Sequence, residues 1–459
     1  MSKESLNIVI LGGSYAGLSA AHNFLLNIIN ELGITRTASK YRVVLVSPST
    51  HLFWNIGAPR AIVSSALLPH TKTFVPILEA FRQYPKNRFT FIHGSALGVD
   101  FTQRTVSISV IGDITSPILG SNERWSHGST ECGNEHRQSL RTIPYHALIF
   151  ATGTSTQSPL LSLHGPHTST VSAIDRFRNR LYDAESIIVV GGGPSGVECA
   201  GQLATFNHGV VKRHPTPNSP ASTTFSTTST KEKRISSTKS TSRKVITLIS
   251  GNDRLLPRLP KAIGVRAERK LKKLGVNIIH NLRLLSAQEL PSGVTRCVLS
   301  DEISVSADLF IPATGVSPNT QFLPAELLDA SGYILADPQY LRVDRAGDRV
   351  YAIGDCASYS KNNIMDVYDS IPALLQNLKN DLLSFELRTQ HPFGGMEDEL
   401  EKLEDLVYVR NPTTTQLVPI TRFGGVGVLF DFRLPSLLVW LFKGRDYRVS
   451  KAKPAVKGL

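Results

Sequence analysis

The stretch "IIVVGGGPSGVECA", Ile187–Ala200, decides the fold. Ile187 to Val190 are apolar and β-branched, so they read as a buried strand. Gly191 to Gly193 then allow a tight turn, and the rest of the stretch reads as the start of a helix. A glycine turn between strand and helix lets backbone approach a pyrophosphate, and the helix N-terminus offers it free N–H groups. Gly191, Gly193 and Gly196 fit G-x-G-x-x-G without a departure. One such match is a modest signal.

The pattern has already occurred upstream, in "NIVILGGSYAGLSAA", Asn7–Ala21. Gly12 and Gly17 fit it, with Ser14 in the middle position. A helix is expected over 15–32, with Leu18, Ala21, Leu25 and Ile28 on one face, followed by the strand "YRVVLVS", Tyr41–Ser47. "KVITLIS" closes the second strand–helix–strand unit in the same way, behind a helix at roughly Gly196–Thr205. "RFTFIHGSALGVDF" and "TVSISVI" add strands. "HALIFATG" and "ADLFIPATG" echo one another, each an apolar strand stopping at a glycine, Gly153 and Gly315.

Two dinucleotide folds in one chain suit a tightly held flavin facing a diffusible nicotinamide. "RVYAIGDCA" settles which is which. Asp355 falls between a strand and a helix expected from about Met365 to Phe385. There its carboxylate can accept a hydrogen bond from a flavin ribitol hydroxyl. The plainer reading of Asp355 is a helix cap.

The expected fold is therefore α/β, with two Rossmann-like dinucleotide-binding domains and a small C-terminal region. Residues 1–155 form the first part of the FAD domain and 156–305 the NAD(P)H domain. Residues 306–388 complete the FAD domain, and 389–459 form the C-terminal region. Two polar stretches interrupt the pattern: a turn-rich loop over Gly112–Thr142, and a Ser/Thr/Lys-rich insertion at about 207–243 that is expected to be disordered.

The net charge of +13 is concentrated. Lys212 to Lys244 hold eight basic residues against Glu232, and Arg433 to Leu459 hold seven against Asp446, which accounts for the whole excess. This localisation argues against a body-wide nucleic-acid footprint. Four scattered cysteines, none as C-x-x-C, point to free thiols in a reducing compartment and argue against a redox dithiol. The 13 histidines show no ligand-like spacing, so no metal site is expected. No signal peptide, transit peptide or run near the roughly 20 apolar residues of a spanning helix is read. A cytoplasmic protein, at most peripheral on a lipid surface, is expected. "RLPSLLVWLFKGRDYRVSKAKPAVKG" supports two readings: a segment lying on anionic lipid, or one packed on the core or at a homodimer interface.

The ordered set "VILGGSYAG", "IFATG", "VVGGGPSGVECAGQL", "IPATG" and "YAIGDCA" resembles the two-dinucleotide-fold flavoproteins of the glutathione-reductase structural class. "WNIGAPRA" and "RLLPRLPKAIGVRAERKLKKLGV" narrow the resemblance to apoptosis-inducing-factor-like flavoproteins, including ferroptosis suppressor proteins and the related type II NADH dehydrogenases. It covers about residues 6–385. The resemblance implies that Gly12, Gly13, Ser14, Tyr15, Ala16 and Gly17 hold the FAD pyrophosphate. It places Arg60 against FAD, the Ala96 backbone at the adenine and Asp355 on the ribitol. Gly191, Gly193 and Gly196 would hold the NADH or NADPH pyrophosphate, with Gly153 and Gly315 beside the cofactors. Glu198 would stand near the nicotinamide–flavin contact as the candidate catalytic residue. Its plainer reading is a first-turn carboxylate favouring the helix dipole.

The implied activity is hydride transfer from NAD(P)H to FAD, then electron delivery to a quinone or similar small acceptor. Two departures stand out. Ser47 and Ser250 replace the acids that often end the second strand of such folds, and with Arg254 near Ser250 this predicts acceptance of NADPH, alongside NADH. The quinone signature expected after Asp355 is absent, the segment reading "DVYDSIPALLQNL". A ferredoxin-type carrier reductase, or a cell-death or nucleic-acid-binding flavoprotein with structural FAD, are the competing readings.

Overall fold

The computed structural model describes residues 5–32, 40–111, 139–206 and 244–458. The expected insertion at 207–243 and most of the expected loop after Gly112 lie outside the described residues.

The first sheet has seven strands, in the order Val350–Ala352, Ala147–Phe150, Leu6–Leu11, Tyr41–Ser47, Phe89–Asp100, Thr105–Val110 and Ser139–Pro144. The first five run parallel, and the last two add antiparallel. Parallel strands bury both faces, which is why Ile8 to Leu11 read as one apolar run; all four are essentially inaccessible. Tyr15–Asn23 forms the crossover helix and winds on, through one wider turn, to Glu31. Ser139–Thr142, expected as loop, belongs instead to the seventh strand. As an edge strand it buries only Ile143 fully, so its polar composition hid it.

The second sheet has four parallel strands: Asn277–Ile279, Val245–Ile249, Ser186–Val190 and Leu309–Pro312. Helix Pro194–Phe206 packs against it, as does Lys261–Lys273. A short antiparallel pair, Thr154–Thr156 with Val316–Pro318, carries the chain between the folds. Helix Ile364–Gln390 then covers the first sheet, opened by Asn363, whose side chain accepts from Met365 N. The C-terminal region is not detached. Its own sheet, Gln416–Thr421, Gly424–Leu429 and Phe432–Arg433, lies on helix Pro194–Phe206, so closely that a Cβ on Gly201 would come within 2.6 Å of Ile420 O.

Candidate functional site

Both glycine turns are built alike. Gly12 and Gly191 have φ of 121° and 129°, and a Cβ on either would strike a carbonyl across the sheet, that of Ala151 at 2.1 Å or of Ala313 at 2.0 Å. Gly17 and Gly196 would strike the Gly12 and Gly191 carbonyls at 1.8 and 1.9 Å. Gly13 abuts Ser47, and Gly192 abuts Ser250. These positions are glycine because the protein itself fills the space.

Gly193, Gly153 and Gly315 differ. A Cβ on any of them would meet no protein atom within 4 Å. Gly193 is not forced by strain either, since its φ lies outside the left-handed range. Open space at the middle glycine is what a close-lying pyrophosphate requires, so the cradle fits a dinucleotide. Gly193→Ala is expected to fold with a stability change on the order of 0.5 kcal/mol or less, yet raise KM for NAD(P)H on the order of tenfold. Gly196→Ala is the contrasting control and should fail to accumulate as folded protein. Circular dichroism and steady-state kinetics read both.

Asp355 is brought to the first cradle. It lies in the turn Gly354–Cys356, and a Cβ on Gly354 (φ 72°) would stand 3.0 Å from Ala16 Cβ. Burial, then repulsion from Asp366, lifts the Asp355 carboxyl from 3.8 to about 6. Tyr15 donates to Asn55 Oδ1 and meets Trp54 edge-on. Ala96 lies half-buried on strand Phe89–Asp100, paired with Ile108.

Glu198 sits on helix Pro194–Phe206 with 3% exposure. Its Oε1 accepts from Lys443 Nζ at 2.6 Å, and Lys443 also donates to Leu417 O. Burial raises the Glu198 carboxyl, while Lys443 and then Arg60 pull it down. The partners observed for Arg60 are protein groups: Gln202 Oε1 at 3.0 Å, Arg445 O at 2.9 Å, and the rings of Phe206 and Tyr447. Arg60 therefore joins three parts of the chain. Trp54 Nε1 donates to Tyr447 O in the same junction. Lys443, Gln202 and Tyr447 were not legible as site residues. Lys443 stood in a tail whose basicity suited lipid equally well, and nothing local ties it to a carboxylate 245 positions away.

The tail answers in two parts. Val439, Tyr447, Ala452, Ala455 and Val456 are buried on the core, and His22 Nε2 lies 2.9 Å from Val456 O. Leu437, Leu441 and Phe442 stay exposed, as do Phe423, Phe430 and Phe432 of the C-terminal sheet region, and the Phe423 ring meets Trp440 edge-on. Among the described residues, no helix is long and apolar enough to cross a membrane, and no group of three or more His, Cys, Asp or Glu could hold a metal ion. Cys199, Cys297 and Cys356 are buried and free.

Comparison with known proteins agrees with this architecture. The chain is 33% identical over 449 residues to the oxidoreductase phnG of Penicillium herquei, covering 96% of this chain and 93% of that one. It is 24% identical over 398 residues to a type II NADH:quinone oxidoreductase of Haemophilus influenzae, covering 78% and 74%. An apoptosis-inducing factor and ferroptosis suppressor proteins are also among its relatives, as the motifs implied. A solved structure of NDH2 from Plasmodium falciparum superposes with a TM-score of 0.61 at 14% identity, over 99% of this chain and 97% of that one, which shows the shared fold. The pyridine nucleotide-disulphide oxidoreductase profile matches residues 6–374. Proteins of this kind use FAD and NAD(P)H. With both cradles in place and the match running through them, the chain belongs to the pyridine nucleotide-disulphide oxidoreductase family.

Proposed function

We propose that this NAD(P)H-dependent oxidoreductase passes electrons to a quinone, taken up from the side of its exposed aromatic surface. In this reading Gly12, Gly13, Ser14, Tyr15, Ala16 and Gly17, with Gly153, Ala96 and Asp355, hold FAD. Gly191, Gly193, Gly196 and Gly315 hold the nicotinamide nucleotide. Bound FAD supplies the two-electron carrier between donor and acceptor. The chain supplies placement. Asp355 anchors one end of the flavin site by accepting from a hydroxyl. Glu198 and Lys443 stand at the junction of the second cradle with the C-terminal region and keep it closed to water. Arg60 acts as a strut of that junction.

One observation supports the acceptor above the others. Phe442 is 44% exposed, and the next residue, Lys443, reaches the buried Glu198. An exposed ring that a lipid-soluble acceptor could meet thus stands one residue along the chain from the lysine that reaches the interior. The relative named as an NADH:quinone oxidoreductase supports the same chemistry.

The test is an anaerobic titration of the FAD-loaded protein with NADPH or NADH, followed by reoxidation with quinones of short and long tail in liposomes. Bleaching of the flavin band and its return with quinone is the expected course, faster with the long-tailed quinone. Bleaching without return by any quinone, but with return by a ferredoxin, rejects the acceptor. No bleaching by either nucleotide rejects the reading as a whole.

A further inference from the structure

The adenosine end of the second cradle lacks the acid that its fold ordinarily provides. In such folds an acid at the end of the second strand takes the ribose hydroxyls, and a nearby arginine takes their place when a 2′-phosphate must be bound. Here the position is Ser250, which is fully buried. Its Oγ is turned back on its own loop, within 3.2 Å of Asn252 O and 3.3 Å of Asn252 N. It lies beside the turn, because a Cβ on Gly192 would touch it at 2.3 Å. The ribose-binding position is therefore neutral, and its side-chain oxygen is engaged by its own loop.

The next residue is Gly251, and over it passes Arg283. A Cβ on Gly251 would come within 3.0 Å of Arg283 Cγ and 3.7 Å of its Nε. This placement is held by backbone. Leu282 N donates to Ser250 O, and Asn281 N donates to Asn252 O. Arg283 N donates to Ser300 Oγ, while Arg283 O accepts from Ser300 N. Segments 250–252 and 281–283 are thus zipped together, and the Arg283 side chain is laid over Gly251, at the end of the second strand. Arg254 stands on the same loop, with one nitrogen on Pro257 O. Among the described residues no ion pair to Arg254, Arg258 or Arg283 is observed. A single acid, Asp253, lies among residues 250–258.

We propose that the second cradle selects NADPH over NADH, with Arg283 as the residue that takes the 2′-phosphate and Arg254 in support. The sequence pointed to Arg254 alone; the contact with Gly251 transfers the leading role to a residue 33 positions beyond Ser250. A guanidinium matches a phosphate in a two-pronged, charge-assisted bond, which an unphosphorylated ribose cannot make. The proposal rests on reading this cradle as the nicotinamide-nucleotide site.

The test uses the FAD-loaded full-length protein and two probes that differ only by the 2′-phosphate, 2′,5′-ADP and 5′-AMP, in titration calorimetry, beside kcat/KM for NADPH and NADH. The native protein should bind 2′,5′-ADP on the order of tenfold tighter than 5′-AMP or better. Arg283→Ala should weaken 2′,5′-ADP and NADPH on the order of tenfold or more while leaving 5′-AMP and NADH within about twofold. Arg283→Lys should recover part of the loss. Arg283 is exposed, so these variants should fold as the native protein does. Equal binding of the two probes by the native protein, or an equal loss of both in Arg283→Ala, overturns the proposal. Preferential 2′,5′-ADP binding without turnover of either nucleotide supports it and rejects the proposed function instead.

Discussion

Asp355→Asn should give a protein that is more stable without flavin and holds flavin more weakly. The two effects have one origin. Asp355 is buried beside Asp366, and its carboxyl is lifted from 3.8 to about 6. An acid whose proton affinity is raised on folding costs stability wherever it must ionise. The cost is absent below about 4, grows as pH rises towards about 6, and is complete above that. At about 1.4 kcal/mol for each tenfold change in affinity, it amounts to on the order of 3 kcal/mol at neutral pH. Asparagine removes it. Asparagine also replaces a charged acceptor with a neutral one, and a hydrogen bond to a charged group contributes roughly 1.5–3 kcal/mol. FAD affinity should therefore fall by one to two orders of magnitude. Native protein should likewise load FAD less well as pH falls below about 6, where Asp355 takes up its proton. Melting temperatures of the flavin-free proteins and flavin-to-protein ratios after dialysis measure both arms. A variant that melts lower than native protein, or keeps its flavin fully, counts against the role given to Asp355.

The second large effect is expected from Lys443→Met. The substitution keeps the length of the side chain and removes the ammonium that faces Glu198 at 2.6 Å. A buried carboxylate without its partner costs about 3–5 kcal/mol, unless it takes up a proton. Burial already raises the Glu198 carboxyl against the pull of Lys443, so removal of Lys443 raises it further. The sign of the pH dependence follows. The loss should be small in mild acid, where Glu198 is protonated in both states, and should grow as pH rises through the raised value. Glu198→Gln in the Lys443→Met background should restore most of the stability at neutral pH, because an amide needs no counter-charge. Denaturant unfolding at several pH values reads the cycle. An equal deficit at every pH, or a double variant no better than the single one, would show that Lys443 acts only through packing.

The strength of these two expectations follows from how differently their residues could be read. Tyr41–Ser47 was legible to the residue, because a buried parallel strand is an unbroken apolar run with sharp ends. The glycine turns were legible because backbone sterics leave few alternatives at Gly12 and Gly191. Asp355 was legible as a turn residue between a strand and a helix, because both frame it. Lys443, Gln202 and Arg283 were not. Each acts across a tertiary contact, and no periodicity marks a side chain that reaches between layers. Ser139–Pro144 escaped because an edge strand buries too little to show a pattern. The tail was ambiguous for a physical reason: the same basic and apolar residues serve a core clasp on one side and an exposed surface on the other.

The paired construction of the cradles turns the chain into its own reference standard. Ala151 and Ala313, Ser47 and Ser250, and the outer glycines occupy equivalent stations in both halves. Where the halves coincide, peptide geometry is the arbiter. Where they part, at Ser14 against Gly193 and at Pro48 against Gly251, the cargo of each half is, so a transplant of these two stations from one half into the other isolates recognition from architecture inside a single molecule.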